Sequence, residues 1–399
     1  MSRQVQDAYV VAAARTPVGK APRGALRMVR PDDLLVAAIR AALARVPSLD
    51  AAAIEDAVIG CAFPEGEQGM NVARNAVLLS GLPDTVGGIT VNRYCSSGLN
   101  AVAIAADRIR VGEADVVLAG GVESMSMVPM AGNKPSFNPH IFDADQNVAI
   151  AYGMGITAEK VAQRWKVSRE AQDEFALTSH QRAIAAQKAG EFGDEIEPFE
   201  LVEKVPNLGS HQIDVKTRSI KLDEGPRADT NAQALAKLKP VFAAKGSVTA
   251  GNSSQTSDGA GALLLVSEAA LKRFHLTPLA RFVSFAVRGV PPEIMGIGPK
   301  EAIPVALRSA GLKADDIDWI ELNEAFAAQA LAVIGDLGLD RAKVNPMGGA
   351  IALGHPLGAT GAVRSATLVH ALRRRGLKYG MVTMCVGTGM GAAGIFERL

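Results

Sequence analysis

AIEDAVIGCAF, residues 53–63, and DIDWIELNEAF, residues 316–326, decide the fold. Each carries Ile, an acidic residue, a short apolar run and a closing Ala-Phe, and they stand 263 positions apart. A second match comes in the same order. GITVNRYCSSGLNAV (88–102) and RAKVNPMGGAIALG (341–354) both set Val-Asn just ahead of a small-residue turn, 253 positions apart. Other short apolar runs, DVVLAGGV (115–122), GALLLVSE (261–268) and GMVTMCVG (380–387), alternate with longer helical patterns. Buried strands alternating with helices mark an α/β protein, and ordered internal matches mark two similar halves.

Between the halves the texture changes. Ser124 to Ser247 carries the loop SMSMVPMAGNKPSFNPHIFD and one long polar helix pattern, SREAQDEFALTSHQRAIAAQKAGEF. Ser168 suits the start of that helix and Gly190 its stop. The segment reads as an insertion lying over the core, where a long insertion often covers an active site. SVTAGNSSQTSDGAGALLLVSE (247–268) then returns to core texture. The expected organisation is an N-terminal core half over 1–121, completed by 248–272, a loop domain over 122–247, and a C-terminal core half over 273–399.

A length of 399 residues implies two or three domains. The balance of 42 basic against 41 acidic residues leaves a net charge of +1, which excludes a general nucleic-acid footprint. Arg373 to Arg375, just before Gly376, read as favourable charge at a helix C-terminus. Cys61, Cys95 and Cys385 are odd in number and far apart, so neither a disulfide framework nor a metal knuckle is indicated. The first residues, MSRQVQDAYVVAAARTPVGK, lack a signal-peptide pattern, no apolar run approaches a membrane span, and FERL is not a peroxisomal address. The expectation is a soluble protein of the cytoplasm with no membrane span.

Cys95 falls where the strand pattern Ile89, Val91 hands over to a helix with Leu99, Val102, Ala106 and Ile109 on one face. Ser96 or Ser97 can cap that helix. At a helix N-terminus the unpaired N–H groups and macrodipole favour thiolate, the nucleophilic form. The alternative is a small cysteine packed under the helix, and position alone leaves both open. His355, in NPMGGAIALGHPLGATGA, precedes a proline that biases it to an extended conformation within a glycine-rich turn, which suits a base better than most lone histidines. Cys385 and Asn323 each close an apolar strand, and strand ends on one edge of an α/β sheet are where ligands bind. GMGAAG (389–394) fits a dinucleotide fingerprint, but the five residues that follow leave no room for that unit's helix and second strand.

These residues resemble those of the thiolase family. The resemblance runs through VVAAARTPVGK, NRYCSSGLNAV, AGGVESMS, GMGITAEKVA, VTAGNSSQTSDGAGA, NEAFA, GGAIALGHPLGATGA and CVGTGMGAAGIFE, nearly the whole chain. It implies a layered αβαβα core of two similar halves with an inserted loop domain. It also implies cleavage of 3-ketoacyl-CoA by CoA, with CoA as substrate and no metal or redox cofactor. By position, Cys95 is similar to the acyl-accepting nucleophile, His355 to the residue that activates it, and Cys385 to the second acid/base thiol. Asn323 is similar to the holder of an oxyanion-site water, and Gly387 to the residue whose N–H joins that of Cys95 in a second oxyanion site. Arg227, Ser254 and Met154 match positions that contact CoA, although Arg227 reads equally as a surface ion pair. Gly153 stands where short-chain biosynthetic members often carry His. This favours medium- or long-chain cleavage in fatty-acid β-oxidation over acetoacetyl-CoA synthesis by an acetyl-CoA acetyltransferase. The further alternative is a non-catalytic CoA-binding subunit. A homodimer or homotetramer is expected, and a hydratase/dehydrogenase partner is compatible with the chemistry.

Overall fold

The repeat seen in the sequence falls on two equivalent strands of a computed structural model that describes residues 5–399; the first four positions assigned to the N-terminal half lie outside the described residues. In chain order the strands are β1 (Tyr9–Arg15), β2 (Gly19–Lys20), β3 (Asp56–Gly60), β4 (Ile89–Val91), β5 (Val116–Ser124), β6 (Phe199–Asn207), β7 (Gln212–Ile220), β8 (Ser257–Val266), β9 (Ala280–Gly289), β10 (Trp319–Leu322), β11 (Tyr379–Val386) and β12 (Met390–Arg398). The first matched pair of segments contains β3 and β10. β3 runs parallel to β5, as β10 does to β11. β5 is antiparallel to β8 and β8 to β1, as β11 is to β12 and β12 to β9. β4 lies parallel beside β3, and its counterpart is a single parallel bridge between Ile320 and Val344, where the second matched pair falls. The halves join where β1 meets β9 at Tyr9–Arg281 and Val10–Ala280.

Helices complete five layers, αβαβα. The Pro31–Ala44 helix covers β1, β5 and β8 on one outside, and the Gly298–Ala310 helix covers β9, β11 and β12 on the other. Between the two half-sheets lie the Ser97–Arg110 and Leu357–Arg375 helices, packed on each other. Leu99, Val102, Ala106 and Ile109 are buried, as the helical spacing predicts, but so are Ala101 and Ala105 off that face. The expectation of one apolar face fails because a middle-layer helix is covered on both sides, and small residues fill it.

The two middle helices touch backbone to backbone in their first turns. A Cβ added to Gly361 would sit 2.1 Å from the Leu99 nitrogen, and one added to Gly98 would sit 2.7 Å from the Ala362 nitrogen. No larger residue fits without parting the helices.

The insertion between β5 and β8 carries the Arg169–Lys188 helix and the β6–β7 hairpin. Ser168 caps that helix by accepting from the Ala171 N–H at 3.2 Å, and Gly190, at φ +70°, follows its end. Buried Arg15 on β1 binds Asp223 and Glu195 of the insertion, each at 2.7 Å. Burying three charges is costly unless they are mutually satisfied, so this cluster favours one seating of the insertion. Arg374 and Arg375 close their helix and pair with Glu191. GMGAAG enters β12, the antiparallel partner of β11, and makes no dinucleotide turn. No helix among the described residues is long and apolar enough to cross a membrane.

Candidate active site

Cys95 and His355 occupy equivalent places, each two residues ahead of a middle-layer helix. The glycine crossing of those helices therefore draws the two positions to one end of the middle layer.

Cys95 lies in a single 3₁₀ turn, Tyr94–Ser96, which packs against the Leu357–Arg375 helix and β11. Tyr94 is left-handed, at φ +42°, a strained conformation for a bulky residue. Side chains hold that strain in place. Asn92 Oδ1 accepts from the Tyr94 N–H at 2.8 Å, and Ser97 Oγ accepts from the Arg93 N–H at 2.8 Å while donating to the Tyr94 carbonyl at 2.7 Å. The expected serine cap is corrected here. Ser96 donates to the Arg93 carbonyl, Ser97 braces the turn, and neither accepts from a helix N–H.

Cys95 shares a cavity with Gly387, which follows β11 in the other half, and the N–H groups of both residues favour the thiolate form of its sulfur. Position alone leaves thiolate and packed thiol open, and burial weighs on the side of the thiol. Burial, the largest influence, pushes the Cys95 thiol up to about 12, and the nearby Glu123 charge adds to the rise. A helix terminus contributes about 0.3–2 kcal/mol, and with both N–H bonds it is outweighed by removal of the sulfur from water. Cys385, on β11, is completely buried beside Ala158, Met295 and Phe326. Burial pushes its thiol up as well, and Cys95 lies close enough to raise it further.

His355 is fixed by its backbone and by both ring nitrogens. Its N–H faces the Gln255 carbonyl at 3.2 Å and Ser257 Oγ at 3.0 Å. Nδ1 lies 2.6 Å from Thr360 Oγ1, and Nε2 lies 3.3 Å from Asn323 Nδ2. Burial, with help from the Arg364 charge, lowers the imidazole to about 3, so the ring is neutral. Asn323 extends β10 through its N–H to the Thr383 carbonyl at 2.9 Å, and its Oδ1 is buried without a partner among the described residues.

Three cavities approach this centre. Arg227 lines one of about 360 Å³ with Lys20, His180 and Gln255, while its guanidinium faces Asp229 at 3.4 Å. The expected ion pair of Arg227 is thus present, on the wall of a cavity. Ser254 lines a second, of about 370 Å³, that shares Lys20, Ala250 and Gln255 with the first. Met154 lies apart from both, in a third cavity of about 400 Å³ that contains Cys95, Gly387, Phe63, Tyr94, Phe137 and Tyr152. Gln255, which lines the first two cavities, accepts from the His355 main-chain N–H through its carbonyl.

Sequence reasoning missed Glu123, Gln255 and Thr360. Glu123 is fully buried at the end of β5 and accepts from the N–H groups of Ala62 at 2.8 Å, Phe63 at 3.3 Å and Gly358 at 2.7 Å, and from Gln68. It thereby ties the β3 and β5 ends to the first turn of the helix behind His355. A carboxylate closing the apolar run DVVLAGGV was the available signal.

A thiol beside N–H donors, a neutral imidazole and a second thiol, gathered from both halves at one end of the middle layer, form the equipment of an acyl-transferring enzyme that works through a covalent thioester. Two family models match the chain, thiolase N-terminal domain over residues 8–269 and thiolase C-terminal domain over 276–398. The 3-ketoacyl-CoA thiolase of Bacillus subtilis (strain 168) is 52% identical over 394 residues, covering 98% of this chain and 100% of the relative. The peroxisomal 3-ketoacyl-CoA thiolase A of Mus musculus is 48% identical over 392 residues, covering 98% and 91%. Among solved structures, the acetyl-CoA acetyltransferase of Bacillus anthracis superposes with a TM-score of 0.90 at 40% identity, covering 100% of both chains. Human mitochondrial 3-ketoacyl-CoA thiolase in complex with CoA superposes with a TM-score of 0.88 at 40% identity, again covering 100% of both. The chain belongs to the thiolase family and is an acyltransferase.

Proposed function

We propose that this enzyme cleaves 3-ketoacyl-CoA with CoA, giving acetyl-CoA and a shortened acyl-CoA, in fatty-acid β-oxidation. The observation that carries the proposal is that Cys95 and Gly387, from opposite halves, line one cavity, with the buried Cys385 thiol close to Cys95.

The raised Cys95 thiol needs a base, and neutral His355 takes its proton at Nε2. The sulfur then attacks the C3 carbonyl, and the Cα–Cβ bond breaks as electrons pass to the acetyl-CoA enolate. Cys385, protonated because it is buried, supplies the proton that turns the enolate into acetyl-CoA. Its thiolate next removes the proton of incoming CoA, whose sulfur takes the acyl group from Cys95, and the released Cys95 sulfide recovers its proton from His355. The N–H groups of Cys95 and Gly387 bind the oxyanion on the acylated carbon, and Asn323 Oδ1, otherwise unpartnered, holds a water that donates to the enolate oxygen. Each step uses an acid, a base or a nucleophile of this chain, so the chemistry calls for CoA as substrate and for no metal or redox cofactor.

CoA lies along the cavities of Arg227, Ser254 and Lys20, with Met154 near the thioester and the acyl chain in the Cys95 cavity. A Cβ added at Gly153 meets nothing within 4 Å, and this open space supports medium- or long-chain substrates. The structural likeness to an acetyl-CoA acetyltransferase makes acetoacetyl-CoA synthesis the alternative. β4 is an open sheet edge with exposed Ile89, next to a helix bearing exposed Leu78 and Leu79, which supports a homodimer or homotetramer. Three free cysteines fit the reducing cytoplasm, where a hydratase/dehydrogenase partner supplies the 3-ketoacyl substrate.

Thiolysis measured across acyl chain lengths, with mass spectrometry of the trapped acyl-enzyme, tests the proposal. Higher kcat/KM on long chains and an adduct on Cys95 are expected. Equal or better use of acetoacetyl-CoA overturns the chain-length assignment, and an adduct elsewhere overturns the nucleophile.

A further inference from the structure

We infer that Thr360 is the positioning residue that makes His355 a base, by accepting the hydrogen bond of Nδ1–H and so leaving the lone pair of the ring on Nε2. The inference rests on the base role proposed above.

Thr360 is completely buried in the first turns of the Leu357–Arg375 helix, five residues after His355. Its hydroxyl has one proton and two protein neighbours, the Pro356 carbonyl at 3.2 Å and His355 Nδ1 at 2.6 Å. A carbonyl can only accept, and threonine in a helix commonly donates to the carbonyl four residues back. With the hydroxyl proton directed to Pro356, the bond to the ring runs from Nδ1–H to Oγ1. A neutral imidazole carries one N–H, so Nε2 keeps its lone pair. The Asn323 amide matches this arrangement, with an N–H group facing Nε2 at 3.3 Å. The opposite tautomer sets two donors against each other there, needs the amide turned over, and removes the lone pair that the thiol proton requires.

The frame around this bond is rigid. The His355 N–H is held by Gln255 and Ser257, and the Gly358 N–H by Glu123, so ring and hydroxyl are both fixed before substrate arrives. A hydroxyl that orients a general base acts through that base and touches no substrate.

Thr360→Val keeps shape and removes the acceptor; Thr360→Ser keeps the acceptor. Thiolysis by the valine variant should show kcat lower by about 10- to 100-fold with KM near wild type, because base catalysis contributes about 10²–10⁴-fold in all. The serine variant should return to within a few-fold of wild type. Wild-type kcat in the valine variant, or equal loss in both, overturns the inference. Should the valine variant fail to fold, ¹⁵N-histidine NMR of the wild-type enzyme decides: a protonated Nδ1 and a bare Nε2 at His355 are expected, and the reverse overturns it. His355→Gln separates the two levels, since full thiolysis in that variant defeats the base role itself, whatever tautomer the spectrum shows.

Discussion

Gly361→Ala should damage both stability and turnover, although alanine is the better helix former. The propensity gain is about 1 kcal/mol in a helix interior. Against it, the new Cβ would lie 2.1 Å from the Leu99 nitrogen, 2.7 Å from its Cβ and 2.8 Å from its Cα. Ordinary contact begins near 3.4 Å, so the middle helices must part by roughly 1 Å, and backbone atoms cannot rotate aside. Overpacking of this kind costs about 1–3 kcal/mol, occasionally more, and contact with a neighbouring main chain belongs at the top of that range. The net expectation is a loss of about 2 kcal/mol. Parting the helices also parts Cys95 from His355, and a 1 Å misplacement costs about 10²-fold in rate. Gly335→Ala is the control: it lies in the Ala327–Leu337 helix with nothing within 4 Å of its added Cβ, and should gain about 0.5–1 kcal/mol with unchanged activity. Denaturant midpoints and steady-state thiolysis read both variants. If Gly361→Ala is as stable and as active as Gly335→Ala, the helices do not position the site in this way.

Replacing Cys385 by Ala should lower kcat for thiolysis by about 10²–10⁴-fold, while iodoacetamide still labels Cys95, as peptide mass spectrometry will show; near-normal turnover would remove Cys385 from the proton path. Gly153→His should reduce kcat/KM on long chains about tenfold or more and spare acetoacetyl-CoA, as a side chain fills the open floor of the Cys95 cavity; parallel losses on both substrates contradict that placement. His355 ordinarily titrates near 6.5 and is held at about 3 in the folded enzyme, so its contribution to stability is full above 6.5 and disappears as pH falls from there toward 3. His355→Gln should therefore lose stability less steeply over that window; superimposable pH–stability curves would contradict it.

The paired strands were legible because an acidic residue, Asp56 at the start of β3 and Asp318 just before β10, precedes a short apolar run in each half, a contrast that survives divergence of the halves. The β1–β9 join was not, since pairing between strands far apart in sequence leaves no periodic trace. Burial on both sides of the Ser97–Arg110 helix escaped notice because alanine off the apolar face reads as neutral until a second layer covers it. At the site, Cys95, His355, Cys385 and Asn323 stood out as reactive groups at element ends. Thr360 sits in a run of Gly and Ala, where one hydroxyl looks like filler, and only three-dimensional contacts give it a partner. The protonation of Cys95 stayed open because proximity to a helix terminus is written in the sequence, whereas exclusion of water is not.

Placing the sulfur nucleophile on one copy of the repeat and the imidazole on the other has a practical result for folding studies. Far-ultraviolet signal counts strands and helices wherever they form, whether or not the copies have locked together. Turnover counts only molecules in which they have locked, so regained activity after denaturant dilution serves as a clock for that final event.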